Sequence, residues 1–170
     1  MLRKLFVALG FCVLALFMCS SSAQAQVRHV IQFGEVFGVQ RTEGATGPTV
    51  PTLNLEYAVI TQLYGSWLGG VKVGVSVPNT QSYFSPRLFV AIAHKLGSQF
   101  MLVFPVGVQY GPAYFAHHES LMYGAGAQIS YKLNSQLSLD FALIMGAVAV
   151  RGAPDVDFVG AGKTSFTIYL

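Results

Sequence analysis

Charge is what this sequence most lacks. Only 10% of its 170 residues are Asp, Glu, Lys or Arg, while 53% are hydrophobic; ordinary soluble domains carry a charged share of about 25%. A soluble domain of this length needs more polar surface than that, so much of the apolar surface must face lipid or a partner. Long apolar runs are scarce as well. A membrane-spanning helix needs about 20 consecutive apolar residues, and the chain offers such a run once, at its extreme N-terminus. Further on, Gly, Ser, Gln or Lys interrupts the apolar stretches every few residues, which excludes a helical-bundle membrane protein. Cysteine is confined to Cys12 and Cys19. There is no phosphate-binding glycine loop, no CxxC, no HExxH and no basic-aromatic stripe of the kind that binds nucleic acid.

The N-terminal run reads as a secretory signal over residues 1–25. Arg3 and Lys4 form the charged start, residues 5–18 the apolar stretch, and Ala23-Gln24-Ala25 a small-x-small cleavage site. An uncleaved anchor is disfavoured by that site at the expected distance. A lipoprotein signal ending at Cys19 is disfavoured by bulky Phe17 and Met18. Cleavage after Ala25 removes both cysteines, so residues 26–170 have no disulfide framework or thiol chemistry. It also removes two of ten basic residues, leaving eight against seven acidic ones. The basic isoelectric point of the whole chain therefore gives no reason to expect a nucleic-acid partner.

What is present is alternation. Eight segments set large apolar residues on one parity against small or polar residues on the other, the period of a half-buried strand. They span about 28–41, 53–61, 67–77, 87–95, 100–110, 121–133, 137–150 and 159–170. Leu102, Phe104, Val106 and Val108 oppose Met101, Gly107 and Gln109; Leu139, Phe141, Leu143 and Met145 oppose Ser138, Asp140 and Ala142. The connections alternate too. Those at 62–66, 96–99 and 134–136 are short, and those at 42–52, 78–86, 111–120 and 152–158 are longer. Short turns at one end and long loops at the other are the pattern of an outer-membrane barrel. Lipid cannot satisfy an open sheet edge, so the sheet must close. The expected fold is all-β: an eight-stranded antiparallel up-and-down transmembrane β-barrel. An even strand count puts both termini on the short-turn, periplasmic side. Tyr64, Trp67, Phe100, Tyr131 and Tyr169 near the turns, and Tyr110 and Tyr123 near the loops, are expected at the two interfaces. Glu35 shares the parity of Ile31, Phe33 and Phe37, and a bulge near Gly34 or Gly38 would be needed to turn it inward.

With strand count, loop asymmetry and the terminal Phe166-Thr167-Ile168-Tyr169-Leu170 in view, residues 28–170 resemble the small outer-membrane barrels of the OmpA-like and OmpX-like kind. The resemblance implies outer-membrane lipids and the barrel assembly machinery as partners. Members usually end in an aromatic residue on the lipid-facing parity; here Leu170 holds that place and Tyr169 lies on the other.

The inward parity collects Glu56, Lys72, Arg87, Lys95, Lys132, Asp140 and Lys163. An eight-stranded barrel is filled by side chains and has no open channel, so these read as an interior ion-pair network. A turn about Tyr64 would set Glu56 opposite Lys72, and one about Ser135 would set Asp140 opposite Ser130. The single cluster of catalytic residue types is His117-His118-Glu119-Ser120. Neighbouring residues of an extended segment point in opposite directions, so this reads as a loop surface rather than a triad or metal site. No catalytic, cofactor-binding or metal residue is assigned and no cofactor is expected. The expected role is a structural or surface-interaction barrel with loops 42–52, 78–86, 111–120 and 152–158 available to a partner. The alternative is a lipid A or phospholipid-modifying enzyme; the His-x-Ser motif of the deacylases is missing from residues 141–150. A soluble barrel carrying an apolar ligand is weaker, because the inward face is charged.

Overall fold

Period-two alternation and a wealth of Val, Tyr, Phe and Thr favour extended chain, and extended chain is what forms. The computed structural model describes residues 27–42, 45–48, 51–78, 85–112, 119–150 and 156–170. The strands are β1 (Arg28–Thr42), β2 (Ala45–Pro48), β3 (Thr52–Tyr64), β4 (Trp67–Pro78), β5 (Ser85–Lys95), β6 (Phe100–Pro112), β7 (Glu119–Lys132), β8 (Leu137–Val150) and β9 (Val156–Tyr169). Each long strand pairs antiparallel with the next, and β9 returns to pair with β1, from Val30 opposite Tyr169 to Arg41 opposite Phe158. The result is a closed barrel of eight strands. The short β2, which lies inside the expected loop 42–52, folds back on the far end of β1. No helix among the described residues is long and apolar enough to cross a membrane.

Closure is locked at the short-turn end by bonds from each turn to the next strand. Ser66 O accepts from Lys95 N (3.0 Å), Gln99 O from Lys132 N (2.8 Å) and Gln136 O from Tyr169 N (2.9 Å). His29 O then accepts from Leu170 N (2.9 Å), joining the two ends of the barrel chain. The turns have sequence reasons. Gly65 sits at φ 54°, a left-handed conformation cheap only for glycine. In the 133–136 turn the Asn134 side-chain oxygen accepts from the backbone N–H of Gln136 and Leu137 (2.8 and 2.9 Å), a side chain standing in for a backbone turn.

The β3–β4 register corrects one expectation. Glu56 lies opposite Gly74, and Lys72 opposite Ala58. The turn is centred between Gly65 and Ser66 rather than on Tyr64, and a register shift between Gln62 and Tyr64 absorbs Leu63. The β7–β8 register is as expected, with Ser130 opposite Asp140. No bulge occurs at Glu35, which pairs in unbroken register with Leu53 on one side and Thr164 on the other. An extra residue there would break two ladders at once, so Glu35 stays on the outward face and is exposed. One interruption was not anticipated. The β6–β7 pairing skips Phe104 and Pro105 and resumes unchanged at Val106, because proline brings no N–H to the ladder.

The two faces are inverted relative to a soluble protein. Leu143 and Met145 are 73% and 75% exposed, while Asp140 between the same strands' inner positions is 0% exposed. Aromatic pairs lie across outward neighbours near the short turns: Trp67 on His94 (4.4 Å between centroids), Phe100 on Tyr131 (5.0 Å) and Phe33 on Phe166 (5.6 Å), the last across the closing seam. Tyr64, Tyr110 and Tyr123 are exposed as expected of interface aromatics. Tyr169 is not one of them: it takes the inward parity of Thr167 and hydrogen-bonds to Ser138 (3.4 Å).

Gly74 faces Glu56 so closely that a Cβ there would stand 2.7 Å from Glu56 Cγ and 2.5 Å from the Leu55 carbonyl oxygen. Gly74→Val is therefore expected to cost about 1–3 kcal/mol, the usual penalty of overpacking. Gly160→Ala, with nothing within 4 Å of the new methyl, should be close to neutral. Urea unfolding of the two variants in detergent micelles, followed through the single tryptophan, Trp67, checks the difference.

Candidate functional site: the charged barrel interior

Inward parity carries chemistry as well as bulk. Glu56 from β3 is 2% exposed and is met by cations from three other strands. Lys163 Nζ of β9 lies 2.7 Å and Lys72 Nζ of β4 3.1 Å from its Oε2, and Arg87 Nη1 of β5 lies 2.9 Å from Oε1. Lys163 also donates a hydrogen bond to Oε2. Arg87 stands at ion-pair distance but off the line of a hydrogen bond, and its guanidinium lies 4.9 Å from the centre of the Phe89 ring. Such a stack suits a planar, weakly hydrated cation.

The second buried carboxylate, Asp140 of β8, is held by neutral donors. Gln32 Nε2 donates to Oδ2 (2.9 Å), Thr167 Oγ1 donates to Oδ2 (2.5 Å), and the Ser130 and Ser138 hydroxyls donate to Oδ1, that of Ser138 at 3.3 Å. Gln32 joins the two centres. Its Oε1 accepts from Lys72 (2.7 Å) and Lys163 (2.9 Å) while its Nε2 faces Asp140. An amide is the side chain that can offer an acceptor to ammonium groups and a donor to a carboxylate at once. Nearer the long-loop end Met122, Val148 and Val159 pack together, and Thr52, Ser85 and Gln109 are buried at that end too. Asn54 Oδ1 accepts from Ser76 (2.5 Å), its cross-strand partner on β4.

Of the seven inward charges expected from parity, five form this column: Glu56, Lys72, Arg87, Asp140 and Lys163. Lys72 reaches Glu56 diagonally rather than straight across. Lys95 and Lys132 do not join it; both are exposed at the short-turn rim, because the strands end there and their side chains emerge into the mouth. Parity alone does not separate rim from interior. It also gave no warning of Gln32, whose role depends on β1–β9 closure; the signal was its position between Ile31 and Phe33 on the inward parity. His94 packs on Trp67 and bonds Ser66 (3.1 Å). The side chains of His117, His118, Glu119 and Ser120 lie outside the described residues, as do most residues of the long connections and all of residues 1–25. Among the described residues no group of three His, Cys, Asp or Glu side chains is placed to hold a metal ion. Ion pairs around Glu56 and neutral donors around Asp140 hold both carboxylates almost wholly away from bulk solvent.

The closed barrel has counterparts in fold among solved structures. The attachment invasion locus protein Ail of Yersinia pestis superposes with a TM-score of 0.58 at 10% identity, covering 84% of this chain and 98% of that one. Neisserial surface protein A gives 0.55 at 10% identity, covering 84% and 96%. The chain has the fold of the small eight-stranded outer-membrane barrels. Ail in complex with the heparin analogue sucrose octasulfate matches that fold at 0.53 and 10% identity, over 85% of this chain and 99% of that one. No family model matches the sequence, and no curated protein does.

Removing Glu56 should be the most damaging single change in the column, since it leaves Lys72, Arg87 and Lys163 facing one another. Glu56→Gln is expected to cost about 3–5 kcal/mol, the scale for breaking a buried pair. Lys72→Met should cost less, because Glu56 keeps two cations and Lys72 is the least buried of the three, at 13% against 3% and 4%. Equilibrium unfolding of both variants gives the order, and a reversed order would contradict the geometry.

Proposed function

We propose that this protein is exported through residues 1–25 and that residues 26–170 form an integral barrel of the bacterial outer membrane with a structural or surface-interaction role and no open pore. The observation that carries the reading is the inversion of the barrel. Outward side chains such as Leu53, Leu55, Phe104, Val106, Leu143 and Met145 are exposed and apolar, while the interior is filled by Glu56, Asp140 and their partners. Water outside would penalise the first set, and a bilayer would not. The filled interior argues against a conduit, because ions would have to displace a network of bonds shorter than 3.2 Å.

The same reading orients the molecule. Arg28 and Tyr169 emerge at the short-turn mouth, which is assigned to the periplasm, and the segments around 42–52, 78–86, 111–120 and 152–158 to the cell surface. Those segments are then the surfaces for a partner, in keeping with the attachment protein and surface protein that share the fold. The outward Phe166, Ile168 and Leu170 form the terminal strand offered to the assembly machinery and to outer-membrane lipids. The alternative of a lipid-modifying enzyme draws no support from the two buried carboxylates, Glu56 and Asp140, which are engaged in the column.

Because residues 26–170 lack cysteine, topology is directly testable. Ser82→Cys in the 78–86 segment should react with a membrane-impermeant maleimide on intact cells, and Ser98→Cys in the 96–99 turn should react only after the outer membrane is opened. The protein should sediment with outer membranes and need detergent to dissolve. Labelling in the opposite order, or recovery as a detergent-free periplasmic monomer, would overturn the proposal.

A further inference from the structure

The short-turn mouth holds a vestibule of about 340 Å³ that the ion-pair column does not use. It is lined by three cationic side chains, Arg28, Lys95 and Lys132, and no Asp or Glu lines it. Hydroxyl and amide groups share the lining, among them Ser98, Gln99 and Ser135 of the turns. The ammonium groups of Lys95 and Lys132 have no hydrogen-bond or ion-pair partner among the described residues, although those of Lys72 and Lys163, the other inward lysines, are engaged.

The register brings the two lysines together. Lys95 is opposite Met101, and Met101 is opposite Ser130. Lys132 is two residues beyond Ser130 on the same inward face. The two lysine backbones stand about 12 Å apart, about 10 Å across the sheet and about 7 Å along it, and two flexible four-carbon stems span that gap to a shared group. Asp140 lies behind this floor, but Ser130 and Ser138 donate their hydroxyls to it and turn their oxygens' protons away from the mouth.

We infer that this vestibule binds a phosphate monoester, an inference that goes beyond the structural and surface role proposed above. A monoester carries a charge of about −1.5 to −2 at neutral pH and three acceptor oxygens. Two ammonium groups match that charge as point cations, and the turn hydroxyls and amide supply further donors. A lone carboxylate carries half the charge and would leave one ammonium unmatched. The volume admits more than the phosphate itself, so the ester is either a soluble metabolite-sized molecule or the headgroup of a lipid at the membrane edge.

The test uses residues 26–170 folded in a non-ionic maltoside detergent and titrated calorimetrically with glycerol 3-phosphate, lysophosphatidic acid and acetate. One saturable site for glycerol 3-phosphate, weakened tenfold or more by Lys95→Gln or Lys132→Gln and retained in Lys132→Arg, supports a soluble ester. The same pattern with lysophosphatidic acid alone supports a lipid headgroup. Both lysines are exposed, and the mobility difference between heated and unheated protein on a gel verifies that the variants are folded. Absence of saturable binding by either phosphate, equal binding of acetate, or binding unchanged in both glutamine variants would overturn the inference.

Discussion

The structure depends on putting charge inside a narrow tube whose outside is apolar. Two carboxylates are fully enclosed, and each must be matched or the tube will not close, because an unpaired buried charge is among the most costly features a fold can carry. Gln32 is where the two solutions meet. Its amide oxygen takes the lysines that neutralise Glu56, and its amide nitrogen goes to Asp140. It sits on β1, the strand that completes the barrel by pairing with β9. The network that fills the interior and the seam that closes the sheet are thus the same place.

The rest follows from that arrangement. Glu56 can reach three cations because Gly74 opposite it leaves space for its stem. Asp140 needs no cation because Ser130, Ser138 and Thr167 surround it on β7, β8 and β9. Towards the long-loop end Met122, Val148 and Val159 form an apolar cluster in the interior. With polarity committed to the inside, the outward parity is left to Leu, Val, Phe, Ile and Met, and low overall charge is the compositional trace. Among the described side chains of that face Glu35 is a charged exception, tolerable because an acidic group costs less there than a basic one.

Strand number, antiparallel order and the assignment of faces were legible in the sequence, since period-two alternation and the spacing of turns are local signals. The seventh expected segment, 137–150, coincides with β8, and the Ser130–Asp140 register followed from a compact turn. What escaped depends on contacts between distant segments or on turn detail. The turn at Gly65–Ser66, together with the shift at Leu63, moved the partner of Glu56 from Lys72 to Gly74, because a small change in a hairpin changes every partner. Ion pairing survived the error because a lysine stem bridges a diagonal. Lys95 and Lys132 have the parity of interior residues but the height of rim residues, and parity carries no height. Pro105 sits in the middle of a closed wall, where proline is normally excluded, at the expense of a gap in one ladder. Gln32 had only its inward parity as a local signal, because its partners lie on β4, β8 and β9.

The central claim is that Glu56 and Asp140 belong to one network through Gln32. A double-mutant cycle of Glu56→Gln and Asp140→Asn, by equilibrium unfolding in micelles, tests it most directly. One network predicts a coupling of about 0.5–3 kcal/mol, collapsing when the cycle is repeated in a Gln32→Leu background. Additivity within about 0.5 kcal/mol in the native background would show two independent buried charges and contradict the account.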